Sequence, residues 1–242
     1  MTLLKQAYEK YTDQDQINWT ILFSRVMQML PEVSDSAVIK GLKQLGFPAD
    51  HIPNFDDINS KLSAFTDWRI VSLDEMVDDK EFIGMLAHKV YPCRTWLRDT
   101  AHVESGDEMY DMFHDVVGHT PLLTLPRYAD YLHGLGKLAV EYMNNDKAIL
   151  CLKRVYWHTI QFGLREDNKT LKIYGAHLLS SPKEVAYSLG AGVPKYDLNI
   201  PLIMDTPYVK GSFQEKYFSI DDFDELYNSL ELIRKELDQR FK

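Results

Sequence analysis

Residues 111–123 have the sequence Asp-Met-Phe-His-Asp-Val-Val-Gly-His-Thr-Pro-Leu-Leu, which places two histidines five residues apart. On a regular α-helix five residues turn about 500°, so His114 and His119 would sit roughly 140° apart around the axis. One face of such a helix could not present both imidazoles to the same ligand. Gly118 loosens the backbone before His119, and Pro121 forbids further regular helix. We therefore expect a helix that carries His114 and a frayed end that bends His119 back towards it.

This histidine pair predicts a metal site, although the spacing leaves one alternative open. Neutral imidazole nitrogens are ligands that suit Fe, Zn and Cu. Asp111 lies three residues before His114, where it is placed to accept a ring N–H of that histidine or to line the pocket. The alternative is a buried histidine pair that makes ordinary hydrogen bonds and binds no metal.

The composition is that of a globular protein. Of the 242 residues, 45% are hydrophobic and 12% aromatic, enough for one large domain or two small ones. The formal net charge of −9 argues against nucleic acid or an anionic membrane as the main partner. Cys93 and Cys151 form no CxxC pair and fit a reducing cytosol. The polar N-terminus and the absence of a long apolar run predict a cytoplasmic protein without signal peptide or membrane span.

Helices dominate the predicted secondary structure, with minor β and no linker, which indicates a single domain over residues 1–242. Helical spacing predicts a first helix that stops at Pro31 and a second helix that Ser34 caps. We expect a turn at Pro92 and a loop over 99–109. Apolar patterns predict further helices over 81–87, 128–142, 148–163 and 223–237, and short strands over 68–71, 171–174 and 217–220.

The segment 111–123 resembles the iron-binding motif of the pterin-dependent aromatic amino acid hydroxylases. The likeness is closest to the bacterial phenylalanine 4-hydroxylases, which consist of the catalytic domain alone. Similar segments follow one another along almost the whole chain, at 45–53, 96–98, 156–164, 173–176, 179–181, 206–208 and 213–218. The resemblance implies a mainly α fold with minor β, in one catalytic domain.

The resemblance implies a monooxygenase that hydroxylates a phenylalanine-like aromatic amino acid with O₂, Fe(II) and a tetrahydropterin. In the family two histidines and one carboxylate hold the iron on one face of the metal. The resemblance assigns the family's roles to the residues that stand at the corresponding positions here. They are the iron ligands His114 and His119, the catalytic support residues Asp111 and Ser180, the partner of the substrate carboxylate Arg98, the substrate-pocket residues Tyr110, Trp157, Phe162 and His177, and the pterin-site residues Phe82 and Val77.

Three departures from the family pattern bear on this prediction. The third iron ligand is a glutamate in the family and Gln161 here, a neutral amide that can ligate through its oxygen but brings no charge. In the substrate pocket His177 stands in place of a glycine and Tyr110 in place of a proline, so the substrate need not be phenylalanine. The small pterin loop of the family is Asp-Glu-Met-Val here, at 74–77.

These departures support two alternative functions. Gln161, His158 and His177 would form the rebuilt site of a metal-dependent oxygenase with another substrate, or the chain would be a catalytically silent homologue that binds a metal or an amino acid. For single residues, a structural role for Arg98 and core packing for Trp157, Phe82 and His158 compete with the site roles. The last predicted helix lacks the extended heptads of a coiled-coil tetramer, so we expect a monomer or small homo-oligomer.

Overall fold

Helices form most of the fold in the computed structural model, which describes residues 6–73, 77–106, 109–208 and 210–242. The bounds of α1 to α12 are, in order, Asp13–Val33, Ser36–Leu45, Phe55–Leu62, Asp79–Leu86, Thr100–Ser105, Thr120–Leu123, Pro126–Glu141, Asp146–Tyr156, Ala176–Ser180, Pro182–Leu189, Ile200–Asp205 and Phe223–Phe241. A 3₁₀ turn (Tyr8–Lys10) precedes α1, and two π-helical segments (His114–His119 and Trp157–Gln161) adjoin α6 and α8. This confirms the prediction of a mainly helical fold.

Short strands form two small sheets. The bounds of β1 to β6 are Arg69–Leu73, Val90–Arg94, Leu164–Asp167, Thr170–Ile173, Lys195–Asp197 and Tyr217–Ile220. β1 and β2 pair in parallel, and the other sheet has the order β4-β3-β6-β5, with β4 antiparallel to β3 and the remaining pairs parallel. β3 begins just after the second π-helical segment ends, so the larger sheet fixes that end of the segment.

A continuous apolar core joins α1 to the first π-helical segment. Trp19 on α1 is fully buried, and its ring packs edge-on against Phe113 with centroids 5.3 Å apart. Phe113 directly precedes His114, so burial of these two rings anchors the start of the segment. Within the described ranges, no helix is both long and apolar enough to cross a lipid bilayer.

Two helix boundaries near residue 33 differ from the prediction. α1 continues through Pro31 to Val33, because a proline in the last turn removes one hydrogen bond without preventing the helix from closing. Asp35, rather than Ser34, caps α2: its side chain accepts the backbone N–H of Ala37. The backbone N–H of Ser34 instead closes the end of α1.

Two further segments are regular where a turn and a loop were expected. Pro92 lies inside β2, which tolerates it because β2 is an edge strand of a two-stranded sheet. The predicted loop that follows contains α5, Thr100–Ser105. The signals for this helix are present in the sequence: Asp99 accepts the backbone N–H of His102, and Gly106 ends the helix with φ +69°.

Candidate metal centre and adjoining pocket

The two histidines of the motif meet in the first π-helical segment. Hydrogen bonds in a π-helix connect residues five apart, so such residues lie near one face. The Nε2 atoms of His114 and His119 are 3.3 Å apart, and both rings are buried. The expected frayed end is therefore wrong, because the chain stays helical through His119. Pro121 is accommodated in the first turn of α6, which follows directly.

Gly118 serves close packing in this segment. A Cβ at this position would lie 2.5 Å from the carbonyl oxygen of Ala176 in α9. The close approach of α9 places the hydroxyl of Ser180 2.9 Å from Nδ1 of His114. Asp111 takes a different part from the expected one, since its carboxylate accepts the backbone N–H of His114 at 3.1 Å while the ring nitrogen contacts Ser180. Ser180 therefore orients the imidazole.

The second π-helical segment brings Gln161 to the same point. Its amide nitrogen is 3.3 Å from Nε2 of His119, and its amide oxygen is buried with no hydrogen-bond partner among the described residues. A half-turn of the amide exchanges the two atoms and turns the oxygen towards the histidines. Two donors that each lie about 2.1 Å from one metal ion are at most about 4.2 Å apart, so separations of 3.3 Å fit shared coordination.

The protonation states of the two histidines also suit a metal. Burial lowers the pKa of both His114 and His119 well below the ordinary range, and the positive charge of Arg94 lowers it further. Neutral imidazoles keep a nitrogen lone pair for a metal ion. Within the part of the chain that is described, no three His, Cys, Asp or Glu side chains converge as a metal site. The third donor is an amide, so the donor set fits a divalent metal but lacks the charge of a carboxylate.

Arg98 forms a buried two-pronged ion pair with Asp111. Its Nε is 2.7 Å from one carboxylate oxygen and its Nη2 is 2.9 Å from the other. The backbone N–H of Arg98 donates to the same carboxylate at 3.0 Å. Because Asp111 also binds the backbone of His114, this pair joins the segment around Arg98 to the start of the π-helical segment. A contact of Arg98 with a substrate carboxylate stays a prediction.

The predicted substrate-pocket residues come together beside His114. We call Tyr110, Trp157, Phe162 and His177 the aromatic cage. The ring of Tyr110 is 4.8 Å from that of His114, and the ring of His177 is 5.8 Å from it, measured between centroids. Tyr110 and His177 thus adjoin His114, and Trp157 and Phe162 pack against them.

A cavity of about 220 Å³ adjoins the cage and the metal donors. Its wall contains residues of both the predicted metal site and the predicted pterin site: Val77, Phe82, Tyr110, His114, Trp157 and Gln161. Phe162 and His177 are absent from this wall and lie behind Tyr110 and Trp157. Residues 74–76 of the predicted pterin loop lie outside the described residues.

Comparison with known proteins identifies the family. The family model for biopterin-dependent aromatic amino acid hydroxylases matches residues 6–242. The chain belongs to this family. The phenylalanine-4-hydroxylase of Chromobacterium violaceum is 36% identical to this chain over 227 residues, which are 93% of this chain and 76% of the relative. The phenylalanine-4-hydroxylase of Ralstonia nicotianae is 34% identical to this chain over 227 residues, which are 93% of this chain and 72% of the relative.

Solved structures agree with the family assignment. The crystal structure of the Chromobacterium violaceum phenylalanine hydroxylase bound to cobalt matches the hydroxylase with a TM-score of 0.91 at 34% identity. The match covers 98% of this chain and 86% of the other. The chain is thus an iron- and tetrahydropterin-dependent monooxygenase of aromatic amino acids, which confirms the predicted activity and cofactors.

Two groups of residues around the candidate metal donors were not predicted from the sequence. Asp115 binds Arg94 through contacts of 2.8 and 2.9 Å to one guanidinium nitrogen, and both residues line the cavity. Tyr91 stacks on His119 with ring centroids 4.5 Å apart, and its hydroxyl is 3.2 Å from that of Tyr156. Asp115 directly follows His114 in the sequence, which was a signal that it lies near the site. Nothing in the sequence pairs Asp115 with Arg94.

His158 lies away from the metal donors of the hydroxylase. Its ring packs against Phe218 with centroids 5.4 Å apart, and only 2% of the residue is exposed. Burial lowers the pKa of His158 to about 4. This placement matches the core interpretation of His158 and leaves it outside the rebuilt site that Gln161 and His177 would form.

Proposed function

We propose that the hydroxylase acts on the ring of phenylalanine, or of a closely related aromatic amino acid, at a metal centre formed by His114, His119 and Gln161. The observation that carries this proposal is the convergence of the three side chains, with nitrogen atoms 3.3 Å apart, at the wall of an aromatic cavity. The relatives named as phenylalanine-4-hydroxylases support the choice of substrate.

Each residue of the site has a proposed part. When bound, the iron would supply activation of O₂ and the tetrahydropterin would supply two electrons. Ser180 fixes the ring of His114 through the 2.9 Å contact, so its other nitrogen faces His119. The stacked ring of Tyr91 restrains His119 in the same way. Ordered donors lower the cost of assembling the metal site.

In this proposal Arg98 and the walls of the cavity place the substrate and the pterin. Arg98, whose orientation Asp111 fixes, is the proposed partner of the substrate's α-carboxylate, because a guanidinium matches a carboxylate in two-pronged contacts. Tyr110 and Trp157 bound the cavity beside His114, and Phe82 offers its ring to the pterin. Apolar walls exclude water from the reacting groups.

We further infer the setting in which the hydroxylase works. The net charge of −9 supports a cytoplasmic enzyme that takes only small molecules, without a nucleic acid or membrane partner. The family match from residue 6 to 242 supports a single catalytic domain. The lack of extended heptads in the last helix supports a monomer or small homo-oligomer.

The test is a hydroxylation assay of the purified protein with Fe(II) and a tetrahydropterin. O₂ consumption and the hydroxylated product are measured with phenylalanine, tyrosine and tryptophan. We expect pterin-dependent ring hydroxylation that the His119→Ala variant loses together with its iron. Stoichiometric iron in His119→Ala would refute the proposed centre. Iron and pterin binding without hydroxylation of any of the three amino acids would refute the proposed substrate class.

A further inference from the structure

The aromatic cage is closed by its own side chains. The centroid of the His177 ring is 4.7 Å from that of Phe162 and 5.2 Å from that of Tyr110. Trp157 lies 5.1 Å from Phe162 and 6.2 Å from Tyr110. These are the distances of rings in direct contact. The four rings therefore fill the space beside His114.

A substrate ring does not fit between such partners. Carbon atoms in contact are about 3.5 Å apart, so a ring inserted between two others needs flanking centroids about 7 Å apart. All four neighbouring pairs in the cage are closer than this. One ring of the cage must leave its position before an aromatic side chain can be buried there.

His177 is the ring with a dedicated anchor. Its Nε2 lies 3.4 Å from a carboxylate oxygen of Glu184, and both side chains are buried. The other oxygen of Glu184 accepts the hydroxyl of Tyr217 at 2.5 Å and the backbone N–H of Gln214 at 3.1 Å. The carboxylate of Glu184 is thus held in place by two donors on one oxygen, and its other oxygen restrains the imidazole of His177.

The same network reaches the opposite wall of the cage. The side-chain oxygen of Gln214 accepts the indole N–H of Trp157 at 2.9 Å. Glu184 thus holds His177 directly and Trp157 through Gln214. The position of His177 is therefore set by contacts outside the cavity.

We propose that His177 is a specificity-determining residue, which Glu184 holds behind Tyr110 and Trp157, so that its ring keeps the substrate cavity from extending into the aromatic cage. This inference rests on the proposed function and deepens it. With His177 in place the hydroxylase discriminates by ring size, so it takes phenylalanine weakly and the larger indole of tryptophan more weakly still. Glu184 is a positioning residue, since it acts through His177.

The test measures binding to protein loaded with cobalt(II), without turnover. Isothermal titration gives the dissociation constants of phenylalanine and tryptophan for the unaltered chain, His177→Gly and His177→Ala. We expect phenylalanine to bind at least about tenfold more tightly to both variants, because the imidazole that closes the cage is then absent. Tryptophan should gain more than phenylalanine.

His158→Ala is the matched control, since it removes a second buried imidazole that lies outside the cage. It should leave both dissociation constants unchanged, and the two His177 variants guard against misfolding of one. Glu184→Gln keeps an oxygen for Tyr217 and Gln214 but replaces the carboxylate oxygen that faces His177 with an amide nitrogen. It should give a smaller gain for phenylalanine and no change once His177 is already glycine.

The outcomes separate the two proposals. Binding of phenylalanine that is equally tight in the unaltered chain and in both His177 variants would overturn the role of His177 and leave the proposed function intact. Failure of every variant to bind any aromatic amino acid would overturn both. A gain in His158→Ala equal to that in His177→Ala would show a general loosening of the core, which would also overturn the inference.

Discussion

Gln161 leaves the metal centre one negative charge short of the two-histidine, one-carboxylate set. We expect Gln161→Glu to tighten Fe(II) binding on the order of tenfold, about 1.4 kcal/mol, because a carboxylate oxygen offsets part of the metal's charge. Pterin-coupled hydroxylation should rise with it. A competition titration with a chelator measures the affinity. If the change tightens iron binding but abolishes the native activity, the site serves a different reaction and the rebuilt-site alternative gains support.

Loss of Ser180 should weaken metal binding, although Ser180 is not itself a metal donor. Ser180→Ala removes the oxygen 2.9 Å from Nδ1 of His114, and such supporting contacts contribute about 10–100-fold to metal affinity. The same chelator titration measures this. Ser188→Ala is the control, because Ser188 is equally a buried serine and its hydroxyl donates to the backbone carbonyl of Val185. Equal affinities for the two variants would contradict the role of Ser180.

His158 should make the fold sensitive to acid. Its pKa is about 4 in the folded chain and 6.5 when unperturbed, so below pH 6.5 the unfolded chain takes up a proton that the folded chain does not. Stability is therefore full above pH 6.5 and is lost as the pH falls towards 4. At pH 5 the loss is about 2 kcal/mol. Urea unfolding at pH 7 and pH 5 should show a smaller pH effect in His158→Phe than in the unaltered chain, and identical pH effects would contradict the assignment.

At the scale of elements, the contact between α9 and the first π-helical segment should be intolerant of a single methyl group. Gly118→Ala places a Cβ 2.5 Å from the carbonyl oxygen of Ala176, so α9 must shift and carry Ser180 away from His114. We expect a loss of about 1–3 kcal/mol in unfolding free energy and weaker metal binding. Gly84→Ala, whose Cβ would meet only Met143 at 3.8 Å, is the control. Unchanged metal affinity in Gly118→Ala would show that α9 accommodates the methyl.

The sequence predicted the elements better than their ends. Apolar spacing found the long helices because burial of one face recurs along the chain. It missed α5, since a six-residue helix has too few turns for a period, although Asp99 and Gly106 marked its ends. It stopped α1 at Pro31, because the rule for proline ignores how little a last turn loses.

The candidate site was predictable in membership but not in arrangement. The family resemblance assigned His114, His119 and Gln161 to one site, and the structure places a side-chain nitrogen of each within 3.3 Å of one on a neighbour. The π-helical backbone was not predictable, because the spacing of the two histidines is equally compatible with an α-helix that frays at its end. The link between His177 and Glu184 was missed, since contacts between side chains on neighbouring short helices depend on packing.

At the scale of the whole molecule, metal binding should raise thermal stability. A metal at a hundred times its dissociation constant adds about 2.7 kcal/mol. For a chain of this size that corresponds to roughly 5–10 °C in Tm. Differential scanning calorimetry with and without cobalt(II) measures the shift, which His119→Ala should abolish. We also expect one cooperative transition, in keeping with the proposed single domain, and two separated transitions would contradict it.

The π-helical backbone has a consequence for insertions and deletions. Removing Val117 would bring the two histidines four residues apart, and an ordinary α-helix would still hold them near one face. Every later residue, however, would move back by one position, a rotation of about 100° and a shift of about 1.5 Å. α6 packs closely on α2, since a Cβ at Gly41 would lie 2.1 Å from the carbonyl oxygen of Pro121. The rotation would break this contact between α6 and α2. The length of the motif is therefore fixed by a helix far away in the sequence, and gaps in this segment should be absent from functional variants.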